Sequence, residues 1–327
     1  MTQDASGAVP SEVLEAFGLA DANIEPVRSG LYNRHWLAGL PEKTIVLRRY
    51  HVARTAGAAA WEQALVTHAA AKGWPAAPPL PAATGATLVE ADGARWAAMP
   101  FREGQPGSAE HPGHYHILGR LLGRLHQDLA SFEPEGQRPG AGKSWELDAW
   151  VAPAEAGTFN ELLSRFAQEH PDLASVIRRQ RYRNLRDLSR LHYPDLADRP
   201  VHGDFQRDNL LWEDGNLTGL LDFDLCRRDA LVCDLAPLLV PHLPLDLRLA
   251  AALIEGYQAV RPLSDLEWAV LPSLVRSSLL LWVSHLLVEW RLNGLPPDGI
   301  ARTMTLRFPA FESAEPAFRA LAEGLRV

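Results

Sequence analysis

Three oxygen-bearing side chains in residues 201–224, VHGDFQRDNLLWEDGNLTGLLDFD, have the types and spacing that phosphoryl transfer requires. Asp204 is followed five residues later by Asn209, and Asp222 comes after an intervening apolar stretch. Moving a γ-phosphoryl group needs an acidic side chain at the acceptor hydroxyl and hard oxygen ligands for magnesium. Asp204 is the candidate for the first role, accepting a hydrogen bond from the hydroxyl and taking its proton late. Asn209 and Asp222 are the candidates for the second. Each residue alone also fits an ordinary turn around a hairpin. The combination carries the specificity, because few folds need a carboxylate, a carboxamide and a second carboxylate in this order.

The elements that must position these groups are readable locally. Asn209–Trp212 reads as a short strand, Glu213–Asn216 as a tight turn with Gly215 available for positive φ, and Leu217–Leu221 as the returning strand. Such a hairpin brings Asp222 back beside Asn209, although thirteen residues separate them. Asp204 falls in the preceding loop, where backbone can aim a side chain.

The stretch HGDFQRDNLLW…GLLDFDLCRRD…CDLA resembles the catalytic core of the aminoglycoside phosphotransferase and choline kinase superfamily, which includes homoserine-kinase-like enzymes. The resemblance extends from about Val27 to Trp290 and is weakest over residues 131–200. It implies an α+β, bilobal, protein-kinase-like fold: a small antiparallel-sheet lobe over residues 1–99, a hinge at 100–107, and a larger, mainly helical lobe over 108–327. By resemblance Asp204 matches the catalytic aspartate, Asn209 and Asp222 the magnesium ligands, and Asp234 an aspartate read as structural. Asp224 replaces the frequent glycine of a DFG-like motif; it marks either a branch of the family or an acidic wall for the acceptor.

Ahead of this core, Ser11 is placed to cap a short helix ended by Gly18. Val27–Trp36 resembles the nucleotide loop, in which Ser29, Gly30 and Asn33 would hydrogen-bond phosphate oxygens; a plain hairpin turn is the alternative. Thr44–Tyr50 is a strand by its β-branched and apolar content. Alternation puts Arg48 on one face with Val46 and Arg49 on the other. In kinase-like folds this strand offers a cation to the α- and β-phosphates, so Arg48 takes that position and Glu62, on the following helix, orients it. Two solvated surface charges are the competing reading. Pro75–Pro81 is a rigid extended connection. Strands follow at Ala86–Val89 and Ala94–Met99. Met99–Gly107 breaks periodicity and reads as the hinge, its backbone binding the adenine edge while Met99 and Phe101 shape an apolar slot, or else as a simple connecting loop.

The remainder reads as helical. Gly119 and Gly123 in a helix over 116–126 permit close packing, and His126 is a packed core histidine. Residues 131–145 read as a surface loop, and the arginine-rich run from Arg178 to Arg186 as a solvated helix face. Helices are expected over Leu247–Val260 and Leu266–Leu292. On the last, Trp282, His285 and Glu289 share a stripe. A core stripe is the favoured reading; the alternative is an acceptor-pocket wall that, with Asp224, favours an amine-bearing substrate.

Composition agrees with an enzyme of small molecules. A chain of 327 residues that is 47% hydrophobic can bury two cores. A net charge of −8 without a basic block argues against nucleic acid. No run approaches the roughly 18 uninterrupted apolar residues of a membrane span, and the first ten residues lack the pattern of a signal peptide. Two cysteines point to a reducing compartment, so a cytoplasmic location is expected. The expected reaction is ATP-dependent phosphorylation of a hydroxyl on an amino alcohol, amino acid, sugar or aminoglycoside, with Mg2+ and with GTP as the alternative nucleotide. The competing classes are a nucleotide-binding pseudokinase and a protein-kinase-like regulator. Only twelve residues separate Asp222 from Asp234, which leaves little room for a peptide platform.

Overall fold

Alternation along Lys43–Arg49 (β3) organises the first sheet. The computed structural model describes residues 8–27, 33–107, 110–152, 157–240 and 245–326. In it β3 is the middle strand of a five-stranded antiparallel sheet, ordered β1-β2-β3-β5-β4. The others are β1 (Asn23–Val27), β2 (Arg34–Leu40), β4 (Val89–Ala91) and β5 (Ala94–Pro100). Ile45 and Leu47 turn to one face, buried with Trp36, Ala38, Trp96 and Ala98, and Val13 of α1 (Ser11–Ala16) joins them. Each such fully buried aliphatic side chain stabilises the fold by roughly 1.5–3 kcal/mol. Arg48 turns to the opposite face, toward α2 (Ala56–Ala71), whose Thr55 cap accepts from Ala58 N–H.

Two local expectations shift. Pro10, not Ser11, is the cap of α1; its carbonyl takes the Val13 and Leu14 N–H groups, and no side chain caps the helix. Proline's fixed φ sets the entry that a serine hydroxyl would otherwise have stabilised. The strand expected at Ala86–Val89 forms instead over Val89–Ala91, where the Asp92-Gly93 turn sets the register with β5.

The hairpin β8 (Leu210–Glu213) and β9 (Asn216–Leu220) forms with Asp214 and Gly215 both at positive φ, the geometry that lets a two-residue turn follow strand twist. Strand β6 (Gln105–Pro106) pairs with β8, and Leu220 N–H bonds to the Pro75 carbonyl of the proline-rich stretch. Met1–Gly107 and Asp208–Asp222 therefore form one compact unit. The division expected from sequence, with a lobe over 108–327, assigns this hairpin to the C-terminal lobe. Strand pairing to Gln105 and Pro106, more than 100 positions earlier, places it in the first unit.

The second unit, Ser108–Arg207 with Phe223–Val327, is mainly helical. It contains α3 (Pro112–Leu129), α4 (Leu147–Val151), α5 (Phe159–Glu169), α6 (Pro171–Arg190), α7 (Ala236–Leu239), α8 (Leu247–Gln258), α9 (Asp265–Asn293), α10 (Asp298–Arg302) and α11 (Phe308–Leu325). A two-stranded ladder, β7 (Arg199–Val201) with β10 (Arg227–Asp229), lies among them. Helices α3 and α8 meet backbone to backbone, since a Cβ on Gly119 would lie 2.0 Å from the Leu253 carbonyl oxygen. α9 begins with a Ser264–Glu267 capping box. By length and composition it could cross a membrane, but 89% of its most apolar window is buried within the protein.

The arginines of α6 divide. Arg178, Arg179 and Arg186 are exposed, whereas Arg183 pairs with Glu312 at 2.9 Å and Glu315 at 3.1 Å. Glu315 also holds the fully buried Arg276 at 2.5 Å, so part of the run ties α6 and α9 to α11. The segment 131–145 also departs from the surface loop expected of it: Arg138, Ala141 and Ser144 are buried.

Candidate active site

The HGD loop owes its shape to one glycine and one buried carboxylate. Gly203 has φ +86°, and a Cβ there would stand 2.0 Å from the Leu225 carbonyl oxygen and 2.7 Å from Arg227 Nη1. Only glycine meets both demands. Asp234, wholly buried, accepts the backbone N–H groups of His202 and Gly203, each at 2.8 Å. His126 Nε2 reaches Asp234 Oδ2 at 3.2 Å, and His126 Nδ1 lies 2.8 Å from the Tyr257 hydroxyl. Burial pushes the Asp234 carboxyl up, but the hydrogen bond and charge of His126, with His202 and Arg227, outweigh it and hold it below the usual range. Burial pushes the Tyr257 hydroxyl up, which keeps it protonated. His126 is thus a core histidine that also braces the aspartate expected to be structural.

Asp204 follows this clamped backbone and is half-buried. Its N–H reaches His202 Nδ1 at 3.3 Å, and Gln206 Nε2 donates to its Oδ2 at 3.0 Å. The first contact fixes the backbone of Asp204 and the second orients its carboxylate. Gln206 carried no signal in the sequence beyond its closeness to the motif.

In the first unit the hairpin brings Asn209 and Asp222 together. Leu221 N–H bonds to the Asn209 carbonyl at 2.8 Å, so Asp222 leaves the hairpin one residue beyond that pair. Asp222 has φ +58°, a left-handed conformation that costs a non-glycine residue about 1–2 kcal/mol. Such outliers collect at functional sites. A carboxamide oxygen and a carboxylate are hard donors, and two protein ligands suit a cation that completes its shell with phosphate and water. Among the described residues no group of three His, Cys, Asp or Glu forms a self-sufficient metal cage.

Also in the first unit, Arg48 Nη1 and Glu62 Oε1 are 2.7 Å apart, with both residues buried, and Arg48 Nε donates to His35 Nε2 at 3.0 Å. Asn33 is buried and its carboxamide oxygen accepts from His51 N–H at 3.0 Å, which ties the end of the β1–β2 connection to the residues after β3. Met99, on β5, packs beside Tyr50, Ala59 and Ala97, while Phe101 is exposed and bonds through its N–H to the Thr44 carbonyl. Ser29 and Gly30 lie outside the described residues.

The stripe on α9 does not form a common wall. Trp282 is 40% exposed, whereas His285 and Glu289 are buried. His285 meets Trp150 edge-on at 5.7 Å, and Glu289 accepts from Asn293 at 2.6 Å. α9 is surrounded almost throughout its length, so equal helical phase does not give equal burial. Asp224 is half-buried.

A second buried cluster had no signal in the sequence. Asp229 accepts from Tyr193 at 2.6 Å, from Ser144 N–H and Oγ at 2.8 and 2.7 Å, and from Arg227 Nε at 3.1 Å. Arg227 Nη1 in turn donates to the Leu225 carbonyl at 2.9 Å, the oxygen against which Gly203 packs. Burial and the adjacent Asp229 push the Tyr193 hydroxyl well up, so it remains a donor.

Residues 23–269 match the family described as "Phosphotransferase enzyme family". The homoserine kinase of Agrobacterium fabrum is 29% identical over 81% of this chain and 79% of its own length. That of Methylobacterium nodulans is 30% identical over 90% of each chain. Among solved structures, the amicoumacin kinase hAmiN in complex with AMP-PNP, Ca2+ and Ami superposes with a TM-score of 0.70 at 15% identity, over 93% of this chain and 92% of that one. A microcompartment-associated aminopropanol kinase superposes with a TM-score of 0.68 at 18% identity, over 96% and 98%. The sheet-bearing unit and the helical unit are therefore the kinase-like fold expected, and the chain belongs to the phosphotransferase enzyme family, as a small-molecule phosphotransferase.

Proposed function

We propose that this phosphotransferase moves the γ-phosphoryl group of ATP onto the hydroxyl of a small amine-bearing metabolite, of which the amino acid homoserine is the first to test. The rigid presentation of Asp204, on backbone clamped by Asp234, carries the reading. A general base works only if its carboxylate is held within hydrogen-bond reach of the proton it takes. In this reading Asp204 accepts the hydrogen bond of the acceptor hydroxyl and receives its proton late in the transfer. The homoserine kinases among the relatives and the aminopropanol kinase among the structural neighbours support an acceptor with both an amine and a hydroxyl.

Arg48, kept in place by Glu62 and His35, pairs with the α- and β-phosphates; a guanidinium fork suits two phosphate oxygens. Backbone groups of the 99–107 hinge bind the adenine edge, Met99 and Phe101 line it, and Ser29, Gly30 and Asn33 serve the phosphates. Asn209 and Asp222 hold magnesium, which when bound neutralises charge on the phosphate oxygens. Asp224 and Glu289 draw the acceptor's amine. Two buried thiols, Cys226 and Cys233, suit a reducing, cytoplasmic setting.

The test is ADP release with Mg·ATP and a panel of homoserine, 3-aminopropan-1-ol, neutral sugars and aminoglycosides. Asp204→Asn is expected to lower kcat by about 10²–10⁴-fold while nucleotide binding, read by calorimetry, is retained. Near-normal turnover by that variant would remove Asp204 from the chemistry. Absence of ADP release above background with every acceptor would remove the kinase reading itself.

A further inference from the structure

The stretch around Arg138 is fastened to β10. Gln137 Nε2 donates to the Arg228 carbonyl at 2.8 Å, and its Oε1 accepts from Arg228 N–H at 2.7 Å. Seven residues later Ser144 is held by Asp229. Between these anchors Arg138 is 1% exposed, its guanidinium carbon 5.8 Å from the centroid of the Trp150 ring. Its Nε, Nη1 and Nη2 are all buried and meet no hydrogen-bond acceptor among the described residues.

That is an unusual state for a guanidinium. Removing a charge from water costs several kcal/mol unless it is paired, and arginine cannot escape by losing its proton as a lysine can. The neighbouring buried arginine shows the ordinary solution. Arg227, 5.7 Å from the same Trp150 ring, is saturated by Asp229, Ser144 and the Leu225 carbonyl. A side chain lacking such partners, held in a pinned segment, is suited to an anion that the described residues do not supply. Trp150 places it near the reacting loop: the same ring touches Arg227, whose Nη1 abuts Gly203, the residue before Asp204.

We infer that Arg138 is the carboxylate-recognition residue of the acceptor site, its planar fork pairing with the carboxylate of an α-amino acid acceptor. This rests on the kinase reading above and narrows its acceptor from amine-bearing alcohols to amino acids. Two parallel N–H···O bonds to one carboxylate are the geometry a guanidinium provides and an ammonium does not. Because all three nitrogens are shielded from solvent, a carboxylate reaches them only when Arg138 or Trp150 changes rotamer.

The experiment compares wild type with Arg138→Met, which preserves length and packing on Trp150 without the charge. The ratio of kcat/KM for homoserine to that for 3-aminopropan-1-ol is expected to fall by about 30-fold or more, with KM for ATP unchanged. A structural arginine would lower the melting temperature when removed; an unpaired one would not, so Arg138→Met is expected to melt at or above the wild-type temperature. An unchanged acceptor ratio overturns the inference, as does a wild-type enzyme that turns over both acceptors equally, a comparison that needs no variant. Should neither acceptor release ADP, the kinase reading or its acceptor has failed, and nucleotide-free thermal shift decides the subsite separately. Stabilisation by homoserine but not by aminopropanol, lost in Arg138→Met, supports it. Equal shifts with both, or the same shift with inorganic phosphate, refutes it.

Discussion

Asp234→Asn is the substitution with the best-defined consequences, because the residue's contacts are few and all buried. The carboxylate takes the His202 and Gly203 N–H groups at 2.8 Å each and meets His126 at 3.2 Å. An asparagine of the same shape keeps one oxygen and turns its –NH2 toward the other backbone N–H, donor against donor. One hydrogen bond to a charged group disappears and one buried N–H is left unsatisfied, a loss of about 2–4 kcal/mol. Against a typical total of roughly 5–15 kcal/mol the protein still folds, so activity remains measurable. The loop that carries Asp204 loses one of its two ties, and a displacement near 1 Å lowers turnover on the order of 100-fold. Urea unfolding followed by steady-state kinetics reads both effects, with KM for ATP changing by less than about threefold because the residues proposed to bind nucleotide are on other elements. A variant within about 0.5 kcal/mol of wild type and about twofold in kcat would show that Asp234 does not position the loop.

The same carboxyl makes an acid-stability prediction. Its folded value lies below the ordinary 3.8, so its contribution is complete above that value and is lost as pH falls through the depressed folded value. Unfolding free energy measured from pH 6 downward should fall less steeply in Asp234→Asn than in wild type; parallel acid limbs would contradict this. Gly203→Ala introduces a Cβ 2.0 Å from the Leu225 oxygen at a φ of +86°, which should destabilise by about 2–4 kcal/mol and depress kcat, both absent if the loop simply shifts. Arg48→Lys cannot serve Glu62 and His35 together as the guanidinium does, so KM for ATP should rise about tenfold with kcat less affected, and an unchanged KM would detach Arg48 from the nucleotide.

Much of the first unit was readable because its signals are local. The period of two in Lys43–Arg49 assigns Ile45 and Leu47 to one face and Arg48 to the other, as observed. The Asp214-Gly215 pair sets the hairpin because both positions need positive φ, and that register is enough to bring Asn209 and Asp222 together. Close helix packing at Gly119 was legible for a similar reason: absence of a side chain is itself a local fact. Where local readings failed, a distant partner had intervened. The 131–145 segment is rich in glycine, proline and charge, yet Asp229 and Arg228 hold it down from more than eighty residues away. Equal helical phase along α9 placed Trp282, His285 and Glu289 in one stripe, but exposure followed which neighbours surround each turn.

From residue types and order alone came the candidate site and the family: two carboxylates and a carboxamide in sequence, and an alternating strand that presents a cation. Tertiary structure decided what holds those candidate groups in place. It supplied the grip of Asp234 on the HGD backbone, the bracing by His126 and Tyr257, the left-handed turn at Asp222, and the pinned segment that carries Arg138. The division has a physical cause. Backbone conformation and facing obey steric rules that act within a few residues, whereas a buried hydrogen bond selects its partner by proximity after the chain has folded, and that proximity is written nowhere along the chain.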